Sequence, residues 1–407
     1  MHQILAVVAC ILDGHTRNMS PAATSTSSPT AKTATNPGAG KTADTSTSTS
    51  TSTSTSTTTV TLLEARARYA SGRGYLAACT LGLPTIDTIA AMRADTEAWA
   101  GGQACASRYG EVVERVRVGY ADLVNVTAHS VAIGSQTSVM AGLIAASLPD
   151  GAEVVLPLGD FSSMVFPFLA QAHRGVTVRQ VPLADLASSL TANTWLVAFS
   201  LVQSATGTVA DSDAIRAAAR VTGTFTLCDT TQAAGWMPVD ASQFDATICH
   251  SYKWLCAPRG VAFFTVAETF AAQLHPINAG WYAGDDLWAS CYGPAMALAA
   301  EARRFDVSPA WPAWVGAEPA IDLFRRLDMT EVRAHTAGLG DALSDGLGLP
   351  RLDQAIVSWP DAGGRDLARL ASAGITASGR AGRARVAFHL WNDRDDVDAV
   401  LDALRRG

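Results

Sequence analysis

Lysine is almost missing from this sequence. Of its 30 basic Lys and Arg residues only three are lysines, Lys32, Lys41 and Lys253, and the first two lie in a Ser/Thr-rich N-terminal tract. A chain that uses arginine wherever it needs a positive charge keeps one lysine in its patterned part, and that lysine needs a reason. Other absences narrow the class. The net charge is −7 with no Lys/Arg cluster, which argues against a nucleic-acid partner. No apolar run approaches the roughly 18 residues of a membrane span. The seven cysteines are scattered, odd in number and without a CxxC pair, which argues against a zinc site or a disulfide framework and for free thiols in a reducing compartment. No metal is expected. The segment "ILAVVACIL" (4–12) resembles the apolar core of a secretion signal, but no Lys or Arg precedes it, and a signal peptide needs a positive start. A cytoplasmic protein is the expectation.

What is present divides the chain. Residues 1–59 end in "TSTSTSTSTSTSTTT", a composition with almost nothing to bury, expected to be disordered. "GAGKT" (38–42) imitates the end of a phosphate-binding loop, but Thr35 stands where its first glycine belongs and no strand precedes it. From Val60 the pattern is orderly. Short β-branched and apolar runs, among them "EVVLPL" (153–158), "TWLVAFSLV" (194–202), "TFTLCD" (224–229), "DATICH" (245–250) and "VAFFTV" (261–266), alternate with helical stretches such as "DAIRAAARVTG" (213–223). Unbroken apolar strands between helices indicate an α/β fold with a mostly parallel sheet covered on both faces. The pattern changes near Met329, so residues 60–328 read as a large domain and 329–407 as a smaller α+β one.

In such a sheet, ligands bind beyond the carboxyl ends of the strands. "IGSQTS" (133–138) follows a strand and opens a helix, a place where backbone N–H groups and the side chains of Ser135 and Gln136 suit a phosphate. "GDFSS" (159–163) offers Phe161 to a flat ring, with Ser163 beside it. Asp229 ends "TFTLCD", and a carboxylate there is costly unless paired, for instance with a protonated ring nitrogen. Gln232 follows three residues on. Lys253, in "ICHSYKWLCAPRG" (248–260), closes a later strand among apolar neighbours. Burial lowers an amine's pKa and yields the neutral form that makes a Schiff base. Arginine cannot do this, which accounts for the retained lysine. Phosphate cradle, aromatic, strand-end aspartate and imine-forming lysine together describe a pyridoxal 5'-phosphate site.

From about Tyr75 to Leu404 the chain resembles the class V aminotransferase family of fold-type I pyridoxal-phosphate enzymes, which includes cysteine desulfurases, kynureninases and isopenicillin N epimerase-like proteins. "CDTTQAAGWMPVD…FDATICHSYKWLCAPRG" is similar to the family signature along its whole length. The resemblance implies a large domain with a mostly parallel seven-stranded sheet and a smaller C-terminal domain. It implies that Lys253 holds the cofactor and shuttles protons, that Asp229 pairs with the pyridinium nitrogen, and that Gln232 sits by the ring's phenolic oxygen. By the same likeness Phe161 stacks on the ring, while Ser135, Gln136, Ser163 and Tyr252 lie at the phosphate. Arg385, in "RARVAFHLWN", matches the arginine that clamps the substrate carboxylate. "RRFDVSPAW" (303–311), with Ser308, resembles the segment that reaches a partner subunit's cofactor, which implies a homodimer with shared active sites.

The departures bear on the reaction. "GGRDLARLASAGITASGRAGRAR" (363–385) lacks the nucleophilic cysteine that desulfurases present before their arginine. "NAGWYAG" (278–284), Phe161 and Tyr252 lean toward kynureninase, whereas Gln232 stands where kynureninases usually have histidine. The expected activity is transaminase or lyase chemistry on a small amino acid or amine, with kynureninase-like hydrolysis and epimerisation as alternatives, desulfuration a weaker one, and a catalytically silent cofactor-binding protein as the non-enzyme reading.

Overall fold

A computed structural model describes residues 59–405. The Ser/Thr-rich tract up to residue 58, "ILAVVACIL" and "GAGKT" lie outside the described residues. Seven strands form the main sheet: β1 (Val131–Gly134), β2 (Glu153–Pro157), β3 (Thr177–Val181), β4 (Thr194–Ser200), β5 (Phe225–Asp229), β6 (Ala246–His250) and β7 (Ala262–Val266). Their order is β1-β7-β6-β5-β4-β2-β3. β7 runs antiparallel to both of its neighbours, and the remaining pairs are parallel. The unbroken apolar strands have the cause their composition implies. Alternate residues of one strand enter different cores: Val197 and Phe199 join Val155, Cys228 and Phe263 on one face, while Leu196 and Ala198 join Val154, Leu227 and Ile248 on the other. Each fully buried side chain of this size stabilises the fold by about 1.5–3 kcal/mol, so a charge in the middle of a central strand would be prohibitive, whereas the partly exposed edge strand β3 accommodates Arg179. Charge is tolerated at the strand ends, where the site lies.

Helix boundaries follow local chemistry. Asp211 accepts from Ala214 N at 3.0 Å and starts the helix Ser212–Thr222, which Gly223 ends at φ 74°. Ile215 and Ala219 face inward from it. Thr85 caps Ile86–Ala100 in the same way.

A second, antiparallel sheet orders β8 (Ile356–Pro360), β10 (Arg383–Ala387) and β9 (Ser378–Arg380) as β8-β10-β9. One face of it, with Val357, Trp359, Ala384 and Val386, packs on Leu343, Val397 and Val400 from the helices Met329–Leu347 and Arg394–Arg405. The extended segment after Gly74 attaches to this sheet: Leu76 N donates to Thr376 O, and Leu76 O accepts from Ala387 N, both at 2.8 Å. The N-terminal part of the fold is thereby stitched to its C-terminal part. The thiols of Cys79, Cys228, Cys249, Cys256 and Cys291 are free. No helix among the described residues is long and apolar enough to cross a membrane.

Candidate active site

The site gathers at the carboxyl ends of β4, β5 and β6. β6 ends at His250, and Lys253 stands three residues later in the turn that follows. That turn is held from two sides. Gly82 N donates to Tyr252 O at 2.9 Å, and a Cβ at Gly82 would come within 2.0 Å of the Lys253 carbonyl oxygen. On the other side Gly235, at φ 109°, lies so close to Trp254 that a Cβ would meet its carbonyl at 2.5 Å. Glycine is required at both positions for the chain to pass.

Lys253 is 7% exposed. Its Nζ is 5.6 Å from the ring centroids of both Phe161 and Tyr252. Burial, more than the opposing pull of Asp229, brings its amine down to about 8. Asp229, at the end of β5, is 3% exposed, and burial pushes its carboxyl up. The Thr231 N–H, donating to its Oδ1 at 2.8 Å, and the charge of Lys253 oppose that rise. A buried carboxylate held by the hydroxyl and N–H of one residue, Thr231, and facing a cation is poised for a further positive partner.

Gln232 is fixed on both ends of its amide. Its Nε2 donates to Cys79 O at 2.9 Å and Ser204 Oγ at 3.2 Å, and its Oε1 accepts from Trp254 Nε1 at 2.8 Å. Arg385, fully buried on β10, donates Nε to Ser378 Oγ at 3.1 Å and Nη2 to Thr80 Oγ1 at 3.0 Å. Its Nη1 donates to the carbonyl and hydroxyl oxygens of Ser204. The guanidinium is thus oriented by neutral oxygens alone and keeps its full charge for an anion.

Phe161, though apolar, is 42% exposed, as a ring awaiting a cover would be. Ser163 is half-buried in the first turn of Ser162–Leu169. Ser135 and Gln136 follow β1, and no side chain caps the helix Thr137–Ser147 that they open, which leaves its N-terminal N–H groups for an anion. Lys253, Asp229, Gln232, Tyr252, Phe161 and Arg385 therefore converge, and Ser135, Gln136 and Ser163 share the same edge of the sheet. Ser308 does not join them within the chain. It is exposed, next to Val307, whose N–H bonds Ile133 O at 3.1 Å.

Several participants had no sequence signal. Thr80 and Ser204 orient Arg385 from positions far away in the chain. His250 is buried with Nε2 unpartnered, its ring edge-on to Tyr252 at 4.3 Å, and burial holds it down to about 3, so it is neutral. An orphaned buried ring nitrogen costs free energy unless something absent completes it. Arg259 covers the Tyr252 ring at 4.9 Å. The donor set fits a phosphorylated pyridine aldehyde: a lowered amine, a buried carboxylate, an uncapped helix N-terminus and an unsatisfied imidazole.

Comparison with known proteins agrees. The structure resembles the cysteine desulfurase CsdA of Escherichia coli (18% identity, TM-score 0.74, 85% of this chain and 98% of that one). It also resembles the cystine C-S lyase C-DES (21% identity, TM-score 0.74, 82% and 97%). In sequence it is 30% identical to the kynureninase of Deinococcus radiodurans over 254 residues, 60% of this chain and 61% of that protein. It is 25% identical to the isopenicillin N epimerase of Streptomyces clavuligerus over 67% of this chain and 79% of that one. The match thus spans less than two thirds of the kynureninase. Fold and site define a pyridoxal-phosphate-dependent enzyme of fold-type I. The family model described as aminotransferase class-V matches residues 85–356, and the chain belongs to the class V aminotransferase family.

Proposed function

We propose that this enzyme acts on a small amino acid as a transaminase or lyase, with Lys253 as its acid–base group. The observation that carries this reading is the lone lysine among the described residues, buried beside Asp229 with its amine lowered to about 8. Lys253 would hold pyridoxal phosphate covalently, and Ser135, Gln136, Ser163, Tyr252 and His250 would lie at its phosphate. Asp229 would offer its buried negative charge to the ring nitrogen and Phe161 an apolar face, with Gln232 near the ring's phenolic oxygen. Bound there, the cofactor supplies an electron sink that lets bonds at the substrate α-carbon break. Arg385 binds the substrate carboxylate. Lys253 Nζ would take a proton at the substrate α-carbon and return it, and its lowered basicity would keep both forms available near neutral pH.

Two features bear on the reaction type. The stretch 363–385 has no cysteine, which does not support a desulfurase relay built on that segment. The likeness to kynureninase and isopenicillin N epimerase supports hydrolytic cleavage or epimerisation as the second reading. The exposure of Ser308, in the stretch 303–311 that resembles a partner-reaching segment, supports a homodimer in which each chain completes its partner's site.

The test is chemical. The purified protein should be yellow, and borohydride should fix the cofactor on the peptide containing "SYKWL". Lys253→Arg keeps the charge but cannot form the imine, so the variant should fold, bind cofactor reversibly and be essentially inactive. A yellow Lys253→Arg protein to which borohydride still fixes the cofactor covalently would falsify the assignment. Incubation with single amino acids, followed by assay of keto acids and other carbonyl products, then separates the reaction types.

A further inference from the structure

The two faces of the small sheet are unlike each other. Strand side chains alternate between faces, and Val357, Trp359, Ala384 and Val386 occupy the one packed on helices. Ser378 and Ser358 are the cross-strand partners of Arg385 on either side, and Arg380 is the partner of Arg383. Ser378, Arg380, Arg383 and Arg385 therefore share the opposite face. The hydrogen bonds agree: Arg385 Nε reaches Ser378 Oγ at 3.1 Å, and Arg383 Nε reaches Ser358 Oγ at 2.9 Å. Ser358 Oγ donates in turn to Ala205 O at 3.2 Å, which presses this face against the loop after β4.

Arg383 is absorbed by Ser358, taking its carbonyl at 2.8 Å as well, and Arg385 is oriented for a carboxylate. Arg380 has no such employment. It is exposed at the hairpin end of β9, and its guanidinium donates only to its neighbour Gly379 O, at 2.6 Å. No ion pair engages Arg259, Arg380 or Arg385 among the described residues, although the chain is acidic overall and most of its other arginines hold a carboxylate. The positive charge of Arg380 is felt at Lys253, Tyr252 and Arg385 alike. An excess of unneutralised guanidinium around one small site is matched by an anion that the chain does not supply. The cofactor phosphate belongs to the helix N-terminus and Tyr252, and one substrate carboxylate belongs to Arg385. One cation remains.

We propose that the substrate is an amino acid whose side chain ends in a second oxyanion, in the manner of aspartate or glutamate, and that Arg380 binds that group. The inference rests on the pyridoxal-phosphate reading above and names the substrate class of the same site. Lys253 and Arg385 select an α-amino acid, and Arg380 selects the acid over its amide.

The experiment is a binding titration of the yellow holoenzyme with L-glutamate, L-glutamine, L-aspartate, L-asparagine and L-alanine, reading the shift of the visible absorbance band. At least one acid should bind ten times or more tighter than its amide, with the gap shrinking at high salt as for any partly exposed ion pair. Arg380→Gln sits at an exposed hairpin end, so it should fold. It should lower affinity for that acid at least tenfold more than for alanine and bring acid and amide to within about twofold of each other. The proposal is overturned if neither acid outbinds its amide, if Arg380→Gln leaves the gap intact, or if it weakens alanine as much as the acid, which would make Arg380 a second α-carboxylate anchor. A protein lacking the visible band, or trapped at no lysine, would show before any amino acid is added that the cofactor reading had failed instead.

Discussion

In the role proposed for Lys253, a single amine carries two requirements that pull against each other. It must be buried among apolar neighbours to be nucleophilic near neutrality, yet it must be charged at other moments to return a proton. Burial sets its balance at about 8 against about 10.4 for a free lysine. The consequence for pH has a definite sign. Only the neutral amine attacks the aldehyde, so the rate at which cofactor-free protein takes up pyridoxal phosphate should rise about tenfold from pH 7 to pH 9 and level off above. Stopped-flow absorbance across that range checks it, and a rate still climbing unchanged at pH 10 would mean an ordinary amine. The same displacement acts on stability. Between about 8 and 10.4 the unfolded chain binds a proton at this residue that the native state has lost, so this group's contribution to stability grows with pH across that window.

Elements that carry the site are held by a second buried charge system. Arg117, on the helix Ala106–Leu123, donates Nη2 to Asp306 Oδ2 at 2.6 Å and Nη1 to Val131 O at 2.6 Å, and Asp306 Oδ1 accepts from Ile133 N at 2.8 Å. Both side chains are buried. This pair clamps the 303–311 segment onto β1, just ahead of Ser135. Asp306→Asn leaves Arg117 buried with only the half-exposed Glu114 as counter-charge, and should cost about 3 kcal/mol of stability. Chemical denaturation measures this, and a loss under about 1 kcal/mol would mean that Glu114 alone suffices. How far the elements were legible depended on where their causes lie. Asp229, Lys253 and the uncapped turn at Gln136 could be read because strand ends and helix starts are written in neighbouring residues. The sheet was readable because both-face burial leaves unbroken apolar runs. Thr80 and Ser204 were not, because their role exists only once distant segments meet. His250 was hidden by its place in a strand, where an imidazole with no partner looks like any buried polar residue. Arg380 became visible only through the register that sets it beside Arg383.

At the level of the whole molecule, the described residues open on a capped helix. Thr61 and Glu64 form a reciprocal cap on the helix Leu62–Arg66, and Val60 N bonds Arg326 O at 2.9 Å. A chain beginning at Thr59 keeps all of this, and we expect it to fold with an unchanged melting temperature and to bind cofactor as the full-length protein does. Thermal melts of both, with and without pyridoxal phosphate, test the point. A truncated chain that aggregates or fails to turn yellow would place the boundary elsewhere.

The stitching of Leu76 between Thr376 and Ala387 also puts the site on a timetable. Thr80 meets Arg385 across 305 residues of chain, and at roughly 5–20 residues per second a ribosome needs about 15–60 s to make that stretch. Lys253 and Asp229 emerge well before Arg385 does. In the later part of that interval a nascent chain has the residues proposed to take the cofactor but not yet the arginine proposed for a substrate carboxylate.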